Sequence, residues 1–342
     1  MNDPHPYARL TPDLILNAVD SLGLRSDGRL LALNSYENRV YQAGIEDAQP
    51  VVAKFYRPAR WSDDQILEEH EFALELAAAE VPVVAPLAFA GKTLHRFEDF
   101  RFAVYPRRGG RAPELDDPQV LEWLGRFIGR IHAIGASKPF AHRPRLDIAS
   151  FGDEPREFLL TSGLIPSDLL DAWKQVSALA LEGVRHAYRR AGDVAYIRTH
   201  GDCHASNVLW TPAGGNNIGG PHFVDLDDAR MAPAVQDFWM LVSGDRDSMS
   251  RQVGKLLRGY EDFMEFDDRE LNLLEALRTL RLLHYCAWLA RRWDDPAFPI
   301  AFPWFNTQRY WQDRVLELRE QVAAMQEPPL APVSLHFDAP RR

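Results

Sequence analysis

The chain has 342 residues, 46% apolar and 26% charged, a length that allows about two domains or one large two-lobed unit. No run of about 18 apolar residues occurs, which excludes a spanning helix, and two cysteines, Cys203 and Cys286, cannot form a disulfide framework. With 49 acidic against 39 basic residues and a formal charge of −10, the chain lacks the basic face of a dedicated nucleic-acid binder.

Met1-Asn2-Asp3-Pro4-His5-Pro6 offers neither a basic n-region nor an apolar h-region, so the cytoplasm is the expected compartment, with no membrane and no nucleic acid among the partners. Residues 1–9 read as frayed. Thr11 at N-cap and Pro12 at N1 open a helix whose apolar face is Leu14, Ile15, Ala18, Val19 and Leu22, and Gly23 ends it. Strands are predicted over 30–33, 39–42 and 51–56, with a polar turn at 34–38. A helix follows over about 62–80, and strands over 83–89, 93–96 and 102–105 complete a small antiparallel sheet. After Pro106-Arg107-Arg108-Gly109-Gly110 the pattern turns helical. Leu121, Leu124, Phe127, Ile128 and Ile131 recur at helical spacing in 118–135, and Ser167 caps a second long helix to about 190. A β-like island covers 195–198, 208–210 and 222–225; helices resume over 235–326, and a proline-rich tail, 327–342, reads as irregular. The order predicts an α+β chain of two lobes around a cleft: residues 1–105 a sheet lobe with one helix, 106–111 a hinge, and 112–326 a larger helical lobe.

The chemistry concentrates in His200-Gly201-Asp202-Cys203-His204-Ala205-Ser206-Asn207, followed by Val224-Asp225-Leu226-Asp227-Asp228. A hairpin would bring Asn207 and Asp225 to one end of the strands as oxygen ligands for a hard cation such as Mg²⁺. Asp202 is then left to accept a proton from an incoming hydroxyl, the set of parts that phosphoryl transfer requires. Zinc is disfavoured because no closed ligand set surrounds Cys203 and His204, and Asp202 would raise rather than lower the Cys203 thiol pKa. Lys54, inside an apolar strand, needs a carboxylate partner, which Glu68, Glu69 or Glu71 of the 62–80 helix can supply. His132 reads as a core histidine. Asp237 reads as plain N-terminal helix charge. The aromatic run over 284–311 reads as packing, with an alternative in which Arg291 and Arg292 hold an acidic or phosphorylated peptide.

The pattern H-G-D-x-x-x-x-N with V-D-x-D-D resembles the catalytic loop and metal aspartate of the protein-kinase-like fold in its aminoglycoside-phosphotransferase branch. Residues 33–42, 52–58, 200–207, 223–230 and 288–299 further resemble the stress response kinase A family of bacterial Ser/Thr protein kinases, over about residues 10–330. That resemblance implies a two-lobed protein-kinase-like fold, with 1–105 the nucleotide-binding lobe and 112–326 the catalytic lobe, and an ATP- and Mg²⁺-dependent transfer to Ser/Thr hydroxyls of proteins. It implies Asp202 as proton acceptor, Asn207 and Asp225 as metal ligands with Asp225 also catalytic, Ser35 as the nucleotide-side residue of the covering turn, and Lys54 on the α/β-phosphates. The family pattern favours Glu69 as the Lys54 partner, with Glu68 next, and the related phosphotransferases imply Asp237 as a brace for the 200–207 loop, a reading equal in weight to helix charge. Adenine is expected against the backbone near Val104, Tyr105 and Pro106. A monomer is expected. Two rivals remain: a small-molecule kinase of the same fold, favoured if Asp227 and Asp228 line an acidic pocket, and an inactive nucleotide-binding scaffold, disfavoured because every catalytic side chain is present. The short interval between Asp225 and Asp237 and the lack of Ala-Pro-Glu argue against activation-loop control.

Overall fold

Residues 6–214 and 219–331 are described by the computed structural model. Side-chain alternation along β3 (Val51–Phe55) organises the first lobe. Val51, Ala53 and Phe55 point into a core under α1 (Pro12–Asp20), which contributes Leu14, Ile15, Ala18 and Val19. Val52 and Lys54 point to the opposite face, toward the cleft. β3 is central in a five-stranded antiparallel sheet, ordered β1 (Ser26–Ala32), β2 (Arg39–Ile45), β3, β5 (Phe100–Pro106), β4 (His95–Phe97). Lys54 is paired with Val40 on β2 and Ala103 on β5. α2 (Asp63–Ala78) covers the cleft-side face and begins in a capping box between Ser62 and Gln65. Both helices read from the sequence, over 12–22 and 62–80, thus flank the sheet.

Local differences from the sequence expectation have physical causes. Residues 6–9 are anchored rather than frayed: Tyr7 is buried, and its hydroxyl donates to the carbonyls of Glu37 and Phe55, while residues 1–5 lie outside the described residues. Residues 83–89 form no regular strand. Their amides are satisfied by two different neighbours, Val84 donating to Phe223 (2.9 Å) and Leu87 to Val104 (2.7 Å), so the segment stitches the lobes together instead of extending the sheet. Strand β4 accordingly starts at His95 rather than Thr93.

The second lobe is mostly helical: α3 (Pro118–Gly135), α4 (Glu154–Thr161), α5 (Ser167–Ala191), α6 (Arg246–Tyr260), α7 (Leu274–Arg291), α8 (Ala297–Ala301) and α9 (Gln308–Ala324). Ser167 is the first helical residue of α5, and Pro166 takes the cap position with no side-chain bond. Two short ladders replace the single island: β6 (Ile197–Thr199) pairs with β9 (Arg230–Ala232), and β7 (Val208–Thr211) with β8 (Gly220–Phe223). Residues 234–241 form 3₁₀ turns, and regular helix resumes only at Arg246. Of the tail, residues 327–331 are non-helical with Leu330 buried, and the remainder lies outside the described residues.

A buried ionic cluster ties the two lobes. Glu37, in the turn between β1 and β2, is held by Arg292 (Nε to Oε2, 2.8 Å) and by the Trp288 indole N–H. Arg57, just after β3, donates to Asp295 (3.0 Å). Tyr36 packs its ring on Phe302 at 4.7 Å between centroids.

Candidate active site

The turn that opens the catalytic loop is set by backbone geometry. Gly201 has φ +82°, and a Cβ there would fall 2.2 Å from the Asp228 carbonyl oxygen, so only glycine fits. Asp237 accepts the N–H groups of His200 (2.8 Å) and Gly201 (2.9 Å), while His132 Nε2 lies 2.9 Å from Asp237 Oδ2. The brace reading of Asp237 therefore holds, at the end of a 3₁₀ turn, and His132 is a buried structural partner. Burial pushes the Asp237 carboxyl pKa up, but the His132 contact and these N–H bonds hold it below the usual range.

The β7–β8 hairpin brings the next two groups together. Val208 pairs with Phe223, and Val224 N–H donates to the Asn207 carbonyl at 3.0 Å, which sets Asn207 beside Asp225. β8 stops before Asp225, whose backbone is left-handed (φ 60°, ψ 64°), an uncommon state for a non-glycine residue. The Asp225 side chain remains 54% exposed.

Lys54 meets three carboxylates: Asp225 at 2.9 Å, Asp227 at 3.2 Å and Glu69 at 3.8 Å. Burial alone would depress the ammonium pKa; Asp225, Asp227 and Glu69 together carry it above the ordinary lysine value. Among the three α2 carboxylates, Glu69 is the one that reaches Lys54. Glu68 accepts backbone N–H bonds from Ala141, His142 and Arg143, and Glu71 pairs with Lys138. Burial pushes the Glu69 carboxyl pKa upward, partly countered by Lys54.

Ser35 donates to the Asn38 carbonyl at 2.9 Å within the covering turn. A cavity of about 300 Å³ lies beneath it, lined by Val40, Val52, Lys54, Tyr105, Asn207 and Asp225 among others. Tyr105 forms part of its wall, with its hydroxyl 3.0 Å from Tyr56; the Val104 carbonyl is engaged by Leu87 N–H. A second cavity, about 580 Å³, contains Asp202 and shares Ser35, Asn207 and Asp225 with the first. Asn207 Nδ2 lies 3.0 Å from the Asp202 carbonyl, and Arg281 Nη2 lies 3.0 Å from Asp202 Oδ1. Burial raises the Asp202 pKa, and Arg281 with His204 reverses this to a net lowering.

Two alternatives left open by the sequence fail here. Asp227 and Asp228 do not make an open acidic pocket: Arg60 pairs with both, and Arg230 with Asp228 at 2.7 Å. Arg60 and Lys54 overcome burial to hold the Asp227 pKa down at about 2. Nor are Arg291 and Arg292 a free acceptor surface, since Arg292 is engaged by Glu37 and the Arg291 guanidinium lies 4.8 Å from the centre of the Phe158 ring. Arg60, Arg281 and Arg143, whose Nε donates to the Ala229 carbonyl, escaped the sequence reading because each acts on a partner far away in the chain. The Cys203 thiol is buried, and burial with Asp237 and Asp202 pushes its pKa well up. Among the described residues no group of three or more His, Cys, Asp or Glu side chains is arranged to hold a metal.

Residues 29–274 match the phosphotransferase enzyme family. Stress response kinase A of Salmonella choleraesuis (strain SC-B67) is 46% identical over 331 residues, covering 96% of this chain and 98% of that protein. The chain belongs to the stress response kinase A family. Within that family, the protein named "Serine/threonine protein kinase RdoA" of Salmonella typhimurium (strain LT2) is likewise 46% identical over 331 residues, with the same coverage. Among solved structures, amicoumacin kinase hAmiN in complex with AMP-PNP, Ca²⁺ and Ami superposes with a TM-score of 0.68 at 19% identity (93% of this chain, 95% of that one). A microcompartment-associated aminopropanol kinase gives 0.65 at 18% identity (87% and 91%). At that identity these structures establish the fold: a sheet lobe and a helical lobe of the phosphotransferase, protein-kinase-like type. The phosphotransferase is thus a stress-response kinase, with ATP its expected co-substrate.

Proposed function

We propose that this kinase transfers the γ-phosphoryl group of ATP to serine and threonine hydroxyls of proteins. The observation that carries the reading is the meeting of two cavities at Asn207 and Asp225, one beside the Lys54 ammonium and the other beside Asp202. Lys54 contacts the α/β-phosphates, Glu69 positions Lys54, and the covering turn with Ser35 closes over the phosphates. Tyr105 walls the adenine end. The donor set suits Mg²⁺: two hard side-chain oxygens, one on the half-exposed Asp225 carboxylate and one on Asn207, whose amide nitrogen is turned toward Asp202. When bound, the ion neutralises phosphate charge. Asp202 orients the acceptor hydroxyl and takes its proton as the oxygen–phosphorus bond forms and the bond to the departing ADP breaks.

The name of the Salmonella typhimurium relative supports protein acceptors. A small-molecule acceptor is the second reading, suggested by the walled cavity of about 580 Å³. Incubation with labelled ATP and separate protein and metabolite fractions of a lysate distinguishes them, protein labelling being expected. Asp202→Ala should keep nucleotide affinity while transfer falls by ~10²–10⁴. Full turnover in that variant would reject the assignment, as would Mg²⁺-supported ATP affinity unaltered by Asp225→Ala.

A further inference from the structure

The acceptor cavity holds five carboxylates, Glu37, Asp202, Asp225, Asp227 and Asp228, which at first sight suits a cationic acceptor. Their partners say otherwise. Glu37 is bound by Arg292, Asp227 by Arg60 and Lys54, and Asp228 by Arg60 and Arg230. A cation seeking Glu37, Asp227 or Asp228 would have to displace partly buried guanidiniums, stripping a charge of its partner in a weakly solvated place, while Asp225 is held by the Lys54 ammonium at 2.9 Å. Arg281 stands apart from the other cavity arginines. Its ion pair is with Asp202 at 3.0 Å, and a third of its side chain stays exposed, against 14% for Arg60 and 7% for Arg230. It projects from α7 beside Tyr285, the two lining the same cavity. A guanidinium carries five donors in a planar fork, and one carboxylate oxygen uses only part of it.

Resting on the reading of Asp202 as the acceptor-side carboxylate, we propose that Arg281 is an anion-binding group of the acceptor site, selecting Ser/Thr segments with an aspartate or glutamate next to the phosphorylated residue. Arg281 holds Asp202 at 3.0 Å. The acceptor's carboxylate takes up the guanidinium, and the Asp202 oxygen so released receives the hydroxyl. An acceptor with a basic neighbour offers Arg281 nothing and adds like-charge repulsion.

The test uses the full-length enzyme, labelled ATP, and paired peptides identical except for acidic or basic residues flanking one serine. The wild type should label the acidic set about tenfold faster than the basic set. Arg281→Glu should abolish or invert that ratio, and Arg281→Lys should keep part of it. Because the ratio is taken within each enzyme, a general loss of rate does not obscure it; if Arg281→Glu does not fold, Arg281→Gln is read the same way. Equal labelling of both sets by the wild type, a basic preference, or a ratio unmoved by the substitution overturns the inference while leaving the protein-kinase reading intact. Labelling of neither set, with wild-type ATP hydrolysis to water still measurable, overturns the inference and the protein-acceptor reading together.

Discussion

At the scale of single residues, the loop that carries Asp202 is held from behind. Asp237 grips the amides of His200 and Gly201, and the turn bearing Asp237 is itself fixed by Glu270, whose Oε2 accepts Val235 N–H at 2.9 Å. Glu270 is buried, and burial pushes its pKa up to about 7. The unfolded chain titrates that group at about 4.3. Its contribution to stability is therefore full below about pH 4 and is lost as the pH rises through about 7. Glu270→Gln keeps an acceptor for Val235 without the charge. We expect it to be more stable than wild type by about 1–3 kcal/mol at pH 8, with the gain absent at pH 4. Urea midpoints at the two pH values check this, and an equal gain or loss at both would remove Glu270 as the titrating group. The residues legible in the sequence were those whose partners lie nearby or follow a motif: Asp202 with Asn207, and Lys54 with a carboxylate in the second turn of α2. Glu270, Arg60 and Arg281 were not legible. Each meets its partner 35, 168 and 79 residues away, across a fold whose closure no local pattern encodes.

At the scale of elements, amphipathic spacing located α3 to the residue, because a buried stripe at 3.6-residue period is the strongest local signal. It did not say what α3 touches. The packing against α6 is made by glycines: a Cβ on Gly259 would fall 2.0 Å from the Glu122 carbonyl oxygen, and one on Gly125 2.0 Å from that of Leu256. Such a contact looks, in sequence, like a helix weakened by poor formers. Gly259→Ala gains about 1 kcal/mol in helix propensity, yet the backbone opposite cannot yield as a flexible side chain would. We expect a net loss of about 1–3 kcal/mol by chemical denaturation; a stabilised variant would mean the helices can part freely. The strand expected over 83–89 and the unforeseen strand at 230–232 share another cause. Their pairing partners, Phe223 and β6, are set by the meeting of distant segments rather than by alternation.

At the scale of the whole molecule, the two-lobed order was legible because sheet-like and helix-like patterns segregate along the chain. The tie between the lobes was not, although its residues, Glu37 and the Trp288 to Asp295 stretch, lie in segments that the family resemblance had already marked. Glu37→Gln would leave Arg292 and Arg57 facing a weaker partner in a partly buried place. We expect the KM for ATP to rise several-fold and release of a fluorescent ADP analogue to accelerate, with a smaller change in kcat. Unaltered release would show that the turn over the phosphates moves independently of the helical lobe. Since that turn is bolted to the far side of the cleft, the expected route for spent nucleotide is a swing of both halves of the molecule rather than the lifting of a hinged flap. On that route the exit rate follows how readily Glu37 and Asp295 let go of their arginines.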